Sequence, residues 1–358
     1  MPQVRAFACD DTSSQFHPHT VEIREPGPTE VFFDVKYAGI CHSDIHTARG
    51  EWGPAKYPLV PGHELAGVVA AVGDQVTKFK IGDHIGVGCM TGSCISDPSV
   101  AEDEVCEQCR EGHENFCTGT GTTWTYGDDR EGNPTSGGYA QGFTVDEKFG
   151  LHIPESIPLV DAAPLLCAGI TTYSPLKRWG AGPGKKVAVV GMGGLGHMGV
   201  QLAAAMGADV SVISQTRSKE EDARKLGAHH FYASGEEGTL KSLRDTFDII
   251  LCTVSASDFD YNSYFRALKA FGVFINVGLP EHNAKIDLNA LITGDKVLAG
   301  SNIGGILITQ EMLDFCAEHG IASVVEVISG DDITQAYDDV VDSKVRYRYV
   351  IDTATFNE

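Results

Sequence analysis

Lys185-Lys186-Val187-Ala188-Val189-Val190-Gly191-Met192-Gly193-Gly194-Leu195-Gly196 is the stretch that decides the fold. Its first half reads as a continuous apolar strand, and an Ala-rich helix follows through Ala205. Between them, Gly191-x-Gly193-Gly194-x-Gly196 permits a tight turn and close approach of the backbone to a ligand. The N–H groups at the start of the helix are free to bind a pyrophosphate. A glycine pattern alone is a weak sign, and a purely structural turn is its plain alternative. Placed between a buried strand and a helix, it predicts a dinucleotide site.

Working outward, Val210 to Ser214 is a second strand, and Ser218-x-x-Glu221 predicts a capping box for a helix that stops at Gly227. Phe247 to Cys252 and Gly272 to Val277 repeat the strand signal, with helical stretches between. Alternating strands and helices predict a parallel, doubly wound sheet. The tail adds a helix near Gln310 to His319, ended by Gly320, and a strand over Val324 to Ile328. A helix near Ile333 to Val341 and a strand over Tyr347 to Ile351 complete it. Residues 1–150 differ: short β-branched runs at Val31 to Tyr37, Leu65 to Val72 and His84 to Val87 alternate with Gly and Pro, which predicts an all-β domain, a small barrel.

The second strand bears on which dinucleotide is bound. NAD-preferring sites place an acid there to accept from both ribose hydroxyls. Here Ser214-Gln215-Thr216-Arg217-Ser218-Lys219 carries none before Glu220. Hydroxyls at Ser214 and Thr216, with Arg217 and Lys219, suit a 2′-phosphate, so the reading is NADP(H). The alternative is that these charges merely decorate a helix start.

Bulk composition excludes several classes. Lys and Arg number 27 against 49 Asp and Glu, a net charge of −22, which repels nucleic acid and anionic lipid. No apolar run reaches the ~18 residues of a membrane span. Met1-Pro2-Gln3-Val4-Arg5 lacks an apolar stretch after a basic head, so the expected compartment is the cytoplasm. There, ten cysteines read as metal ligands or buried thiols rather than disulfides. Cys9, Cys89, Cys252 and Cys316 take the bland reading of small core hydrophobes.

The other six fall into two groups. Cys94, Cys106, Cys109 and Cys117 crowd one loop-like stretch, and four thiolates there can close around a tetrahedral zinc ion. Cys41 and Cys167 stand far apart and are accompanied by His63 and Glu64. A closed all-sulfur set beside a mixed one predicts one structural and one catalytic metal.

Gly39-Ile40-Cys41-His42-Ser43-Asp44, Pro61-Gly62-His63-Glu64, the cysteine lobe, Leu166-Cys167-Ala168-Gly169 and the glycine loop together resemble zinc-dependent alcohol dehydrogenases of the medium-chain dehydrogenase/reductase superfamily. Ala163-Pro164-Leu165-Leu166-Cys167-Ala168-Gly169-Ile170-Thr171 and Tyr173-Ser174-Pro175-Leu176 resemble its cinnamyl-alcohol-dehydrogenase-like branch, which includes bacterial NADP-dependent aldehyde reductases. The resemblance covers essentially the whole chain. It implies a GroES-like β-barrel catalytic domain over 1–167, completed by 303–358, and a Rossmann domain over 168–302. It implies a catalytic zinc on Cys41, His63 and Cys167, with Glu64 a ligand of the substrate-free enzyme and Asp44 behind the ligands.

In the family two residues separate the first two lobe cysteines; here eleven separate Cys94 from Cys106, and Ile95 to Val105 reads as an acidic, exposed insertion. Loop-closure cost grows only logarithmically, so the longer loop need not disrupt the site. Cys94 stays the expected first ligand, with Cys89 its substitute; the alternative is a weak or absent lobe zinc. Ser43 and His46 are expected to relay a proton. The resemblance puts His42, Thr171, Leu195, Val277, Ser301 and Ile303 about the cofactor, and Trp52, Pro54, Cys89, Trp124 and Asn302 about the substrate.

The expected activity is a reversible, zinc- and NADP-dependent alcohol dehydrogenase acting on aromatic and medium-chain aldehydes, as a homodimer. Asn302 stands where relatives carry larger apolar residues, which weakens an aromatic preference. The competing readings are an NAD-dependent short-chain or polyol dehydrogenase and a non-catalytic dinucleotide-binding redox sensor.

Overall fold

The structure is a computed structural model that describes residues 3–129, 132–280 and 282–356. The chain divides into two compact units, Met1–Cys167 with Gly304–Glu358, and Ala168–Ile303.

Among its described residues, the second unit carries a six-stranded parallel sheet. In chain order the strands are Lys186–Val190, Asp209–Ser214, His230–Ala233, Phe247–Cys252, Leu268–Asn276 and Val297–Gly300. They lie in the spatial order third, second, first, fourth, fifth, sixth. This is the doubly wound order, whose ligand crevice opens at the carboxyl ends beside the first strand. Val187 to Val190 are buried, as a central strand covered on both faces requires. The helix Gly196–Ala205 follows at once.

Two local expectations need correction. Ser218 does not cap a helix: the chain makes a 3-10 turn over Arg217–Lys219, and the α-helix begins at Glu220. That turn shifts the helix start, and the Ser218 hydroxyl instead meets Thr216 Oγ1 at 3.0 Å. The strand expected from Gly272 begins earlier, at Leu268, because an irregularity in its pairing beside Phe247 and Ile249 absorbs the extra residues.

In the first unit a seven-stranded sheet is organised around the long strand Glu30–Gly39. Val31, Phe33 and Val35 point inward at alternate positions, the two-residue period of a half-buried strand. Antiparallel partners of this strand are Leu65–Val72, Gly142–Asp146 and Arg348–Asp352. The last of these brings the far end of the chain back, with Val350 opposite Gly39. The core beneath joins both ends of the sequence: the rings of Phe7 and Phe356 lie 4.9 Å apart, with Ile40, Ile45, Tyr139 and Tyr337 buried around them. Each such side chain contributes about 1.5–3 kcal/mol by leaving water.

The insertion after Cys94 carries a short 3-10 turn, Glu102–Glu104, and residues 101–104 are exposed. Among the described residues, no helix is long and apolar enough to cross a membrane.

Candidate metal centres and dinucleotide site

Cys41 caps the helix His42–Ala48, and the capping residue three positions on is Asp44. Asp44 is fully buried. Its Oδ2 accepts from the Cys41 backbone N–H at 3.0 Å, and its Oδ1 accepts from Gly62 N–H at 3.2 Å and from His63 Nδ1 at 2.8 Å. An ionised carboxylate only accepts, so Nδ1 of His63 carries the proton and Nε2 keeps its lone pair for a metal.

That lone pair faces sulfur. His63 Nε2 lies 3.4 Å from Cys167 Sγ, and Cys167 Sγ lies 3.8 Å from Cys41 Sγ. Ligand atoms of Cys41, His63, Glu64 and Cys167 all fall within 4.8 Å of one another. Two thiolates on a tetrahedral zinc, at about 2.3 Å each, stand about 3.8 Å apart, so the donors present fit that ion. The hydrogen bond from Cys167, with His63 beside it, holds the Cys41 thiol well below its usual range despite burial. Cys167 rises correspondingly, through Cys41 and then Cys89. Burial opposes a charge on His63, yet the Asp44 carboxylate lifts it well above the imidazole range.

Glu64 is fully buried and its carboxyl is pushed up to about 8, by burial first and against the pull of Arg348. Arg348 Nη2 donates to Glu64 Oε1, and to Ile40 O at 2.8 Å. Among the described residues Glu64 Oε2 has no hydrogen-bond partner, an open acceptor inside the donor cluster. Gly39 makes this seat possible: a Cβ there would stand 1.9 Å from Glu64 Oε2.

The flanking residues are placed as follows. Ser43 Oγ is 3.7 Å from Cys41 Sγ, His46 Nδ1 pairs with Glu51, and the His46 ring stacks on Trp52 at 4.9 Å. His42 lies 5.4 Å from His46, ring to ring. Trp52 and Trp124 are about half exposed, and Pro54 and His42 are exposed. Cys9, Cys252 and Cys316 are buried as small core residues, but Cys89 departs from that expectation: Cys167, a candidate ligand, draws its thiol below the usual range despite burial.

The second cluster brings Cys94, Cys106, Cys109 and Cys117 within the same 4.8 Å spread, and Cys89 is not among them. Cys94 Sγ to Cys106 Sγ is 3.5 Å and Cys106 Sγ to Cys117 Sγ is 3.9 Å, spacings that again fit one tetrahedral ion. Burial opposes ionisation here, but the backbone N–H groups of Cys109 and Thr118 bring the Cys106 thiol down to about 5. Peptide N–H groups aimed at sulfur favour thiolates and hence a cation. Cys106→Ser is therefore expected to release one zinc equivalent and to lower stability by on the order of 4 kcal/mol. Metal analysis with urea unfolding checks this; turnover of the folded fraction is expected to survive.

In the second unit, Gly191 has φ +90° and its N–H donates to Ile213 O at 2.9 Å. A Cβ on Gly196 would meet Gly191 O at 2.0 Å, so strand and helix pack this closely only with glycine there. Beside Gly193 the space is open. Leu195 sits at the helix N-cap, and Thr171 is buried in the helix Ala168–Arg178. Ser214, Val277 and Ser301 stand at the carboxyl ends of the second, fifth and sixth strands, with Asn302 and Ile303 next along. Four separate segments thus bring cofactor candidates to the carboxyl ends of the sheet strands.

Around Ser214 the charges are already engaged. Arg217 forks onto Glu236 at 2.6 and 3.0 Å and reaches Glu220 at 2.9 Å. Lys219 Nζ donates to Met192 O of the glycine loop at 2.8 Å. Three partners escaped the sequence reading: Arg348, Tyr126 and Glu236. A lone arginine at the start of an apolar strand was a signal for Arg348; nothing in the spacing marks the other two.

Residues 27–155 match the alcohol dehydrogenase GroES-like domain, and residues 194–318 match the zinc-binding dehydrogenase domain. An NADP-dependent alcohol dehydrogenase C of Mycolicibacterium smegmatis is 52% identical over 356 residues, 99% of either chain. The structure of a cinnamyl alcohol dehydrogenase from Sorghum bicolor is 40% identical, with TM-score 0.93 and all of both chains covered. That of CAD from Helicobacter pylori, complexed with NADP(H), is 41% identical with TM-score 0.89 over 98% of each chain.

Proposed function

The chain belongs to the zinc-binding alcohol dehydrogenases built on a GroES-like domain, and from that premise we propose that it is an NADP-dependent aldehyde reductase and alcohol dehydrogenase. Its substrates in this reading are aromatic and medium-chain aldehydes and the matching alcohols, interconverted reversibly. The observation that carries the reading is the buried quartet Cys41, His63, Glu64 and Cys167, in which an arginine holds one oxygen of Glu64. A metal site meant only to hold structure is closed by four committed ligands; a catalytic one keeps an exchangeable position.

Zinc at this centre supplies Lewis acidity to a substrate oxygen, and NADP(H) supplies or accepts the hydride. The chain's own residues prepare both. Cys41 and Cys167 bind as thiolates, and Asp44 fixes the His63 tautomer and ring. Arg348 keeps the Glu64 carboxylate drawn to one side. Ser43 and His46 move the proton, with Glu51 holding the imidazole at Nδ1 and Trp52 stacked against its ring. The glycine loop receives the pyrophosphate, and Ser214, Thr216, Arg217 and Lys219 receive the 2′-phosphate. The reading also takes the enzyme as a cytoplasmic homodimer; exposed Val297 and Leu298 on the outermost strand of the parallel sheet support such a pairing.

The deciding experiment is turnover of an aldehyde panel with NADPH and NADH by purified protein. Oxidation of NADPH supports the reading, and silence across the panel supports a redox sensor. Glu236 sharpens the cofactor test, since its carboxylate competes with a phosphate for Arg217. A charge-assisted bond contributes about 1.5–3 kcal/mol, so Arg217→Ala is expected to lower the NADPH preference by about 10–150-fold. Glu236→Gln, which frees the guanidinium, is expected to raise it. If neither substitution changes the ratio of kcat/KM values, Arg217 is not the phosphate grip.

A further inference from the structure

We propose that Tyr126 is a positioning residue of the inner metal centre, acting through Asp44 on His63. The inference rests on the functional reading above, because it concerns how the ligand His63 is held.

Tyr126 lies between the short strands Thr123–Trp124 and Gly127–Asp128. Its hydroxyl donates to Asp44 Oδ1 at 2.8 Å, the same oxygen that accepts from His63 Nδ1 at 2.8 Å. Its ring lies nearly parallel to that of His63, at 22° and 6.3 Å between centroids. Asp44 is fully buried, and among the described residues its donors are Cys41 N–H, Gly62 N–H, His63 Nδ1–H and the Tyr126 hydroxyl. Two of these donors belong to candidate ligands, and a third belongs to the residue before His63. Tyr126 alone comes from a distant segment, so it is the group that fixes this carboxylate from outside the ligand loops.

The placement of Tyr126 is itself firm. Thr125 N–H donates to Cys89 O at 3.1 Å, and the Thr125 hydroxyl donates to Gly88 O. Trp124 pairs with Met90, and Thr123 pairs with Gly92, two residues before Cys94. The tyrosine is therefore held by a ribbon that runs directly into the sulfur lobe. Removing its hydroxyl leaves Asp44 Oδ1 one donor short, held by Gly62 and His63 alone, and loosens the hold on the His63 ring. Changes to groups behind a metal ligand typically alter metal affinity by about 10–100-fold.

The test is Tyr126→Phe, which removes one oxygen and keeps the ring. Holoenzyme loaded with two zinc ions is mixed with a chromogenic chelator, and cobalt-substituted protein is examined for its visible bands. One of the two zinc ions is expected to leave about 10–100-fold faster than in the wild type, with a shifted cobalt spectrum and a lower kcat. Thr125→Ala is the control, since it breaks a bond of the same ribbon without touching Asp44. Unchanged release and spectrum in Tyr126→Phe overturn the proposal, whatever happens to Tm. So does an equal loosening of the same ion in Thr125→Ala, which makes the role of the ribbon one of packing alone. A wild-type enzyme with no zinc at Cys41, His63 and Cys167 overturns the functional reading as well, which separates the two failures.

Discussion

Cys41→Ser is expected to take one zinc ion of two from the protein and about 10³-fold or more from the rate of aldehyde reduction, while leaving the fold in place. The size follows from the several kcal/mol by which a Lewis-acid ion stabilises developing charge on oxygen, at about 1.4 kcal/mol per tenfold. The direction follows from geometry, because Cys41 Sγ is one of the atoms that converge with His63 Nε2 and Cys167 Sγ. Serine preserves the cap of the helix His42–Ala48, so unfolding should change little. Zinc analysis with steady-state kinetics checks both halves. Full activity in a variant shown to hold only the lobe zinc would remove the basis of the functional reading.

The second large effect is on stability. Arg348→Met is expected to destabilise the protein by about 3–5 kcal/mol above about pH 8, where Glu64 is ionised, the cost of breaking a buried ion pair from one side. Arg348 is 4% exposed and Glu64 fully buried, so water cannot replace the lost partner. The change also leaves the carbonyl of Ile40 without the donor that reaches it at 2.8 Å. Urea unfolding of the zinc-loaded enzyme measures this. The double variant Arg348→Met with Glu64→Gln is expected to recover part of the loss, since no uncompensated charge then remains inside. Failure of the second substitution to restore any stability would show that packing of the arginine, rather than its charge, is what matters there.

Both metal clusters were legible in the sequence because ligand chemistry is restrictive: few roles other than metal binding bring Cys41, His63 and Cys167 into one chain with four further cysteines. The glycine loop was legible for a related reason. A turn with φ +90° at Gly191 and a 2.0 Å approach at Gly196 leave a composition that little else produces. Even the eleven-residue gap after Cys94 was readable, since a longer surface loop costs little to close. The groups standing behind those residues were not legible. Arg348 is 284 positions from Glu64, and Tyr126 is 82 from Asp44. Glu236 reaches Arg217 from beyond the third strand. Such contacts are made by sheet order and strand register, which no local spacing records. The capping box at Ser218 failed at the opposite scale, where a single 3-10 turn outweighed a helix-start pattern.

The pairing of Arg348–Asp352 with Glu30–Gly39 also makes the inner metal centre discontinuous in the chain. Cys41, His63 and Glu64 come first along the chain, then the whole nucleotide-binding unit, and after it the guanidinium that holds Glu64. The parallel-sheet unit is contiguous in the chain, whereas the metal-binding unit is assembled from segments on either side of it. The inner cluster thus depends on two stretches of chain that the whole parallel-sheet unit separates, and a break anywhere between them would part Glu64 from its guanidinium.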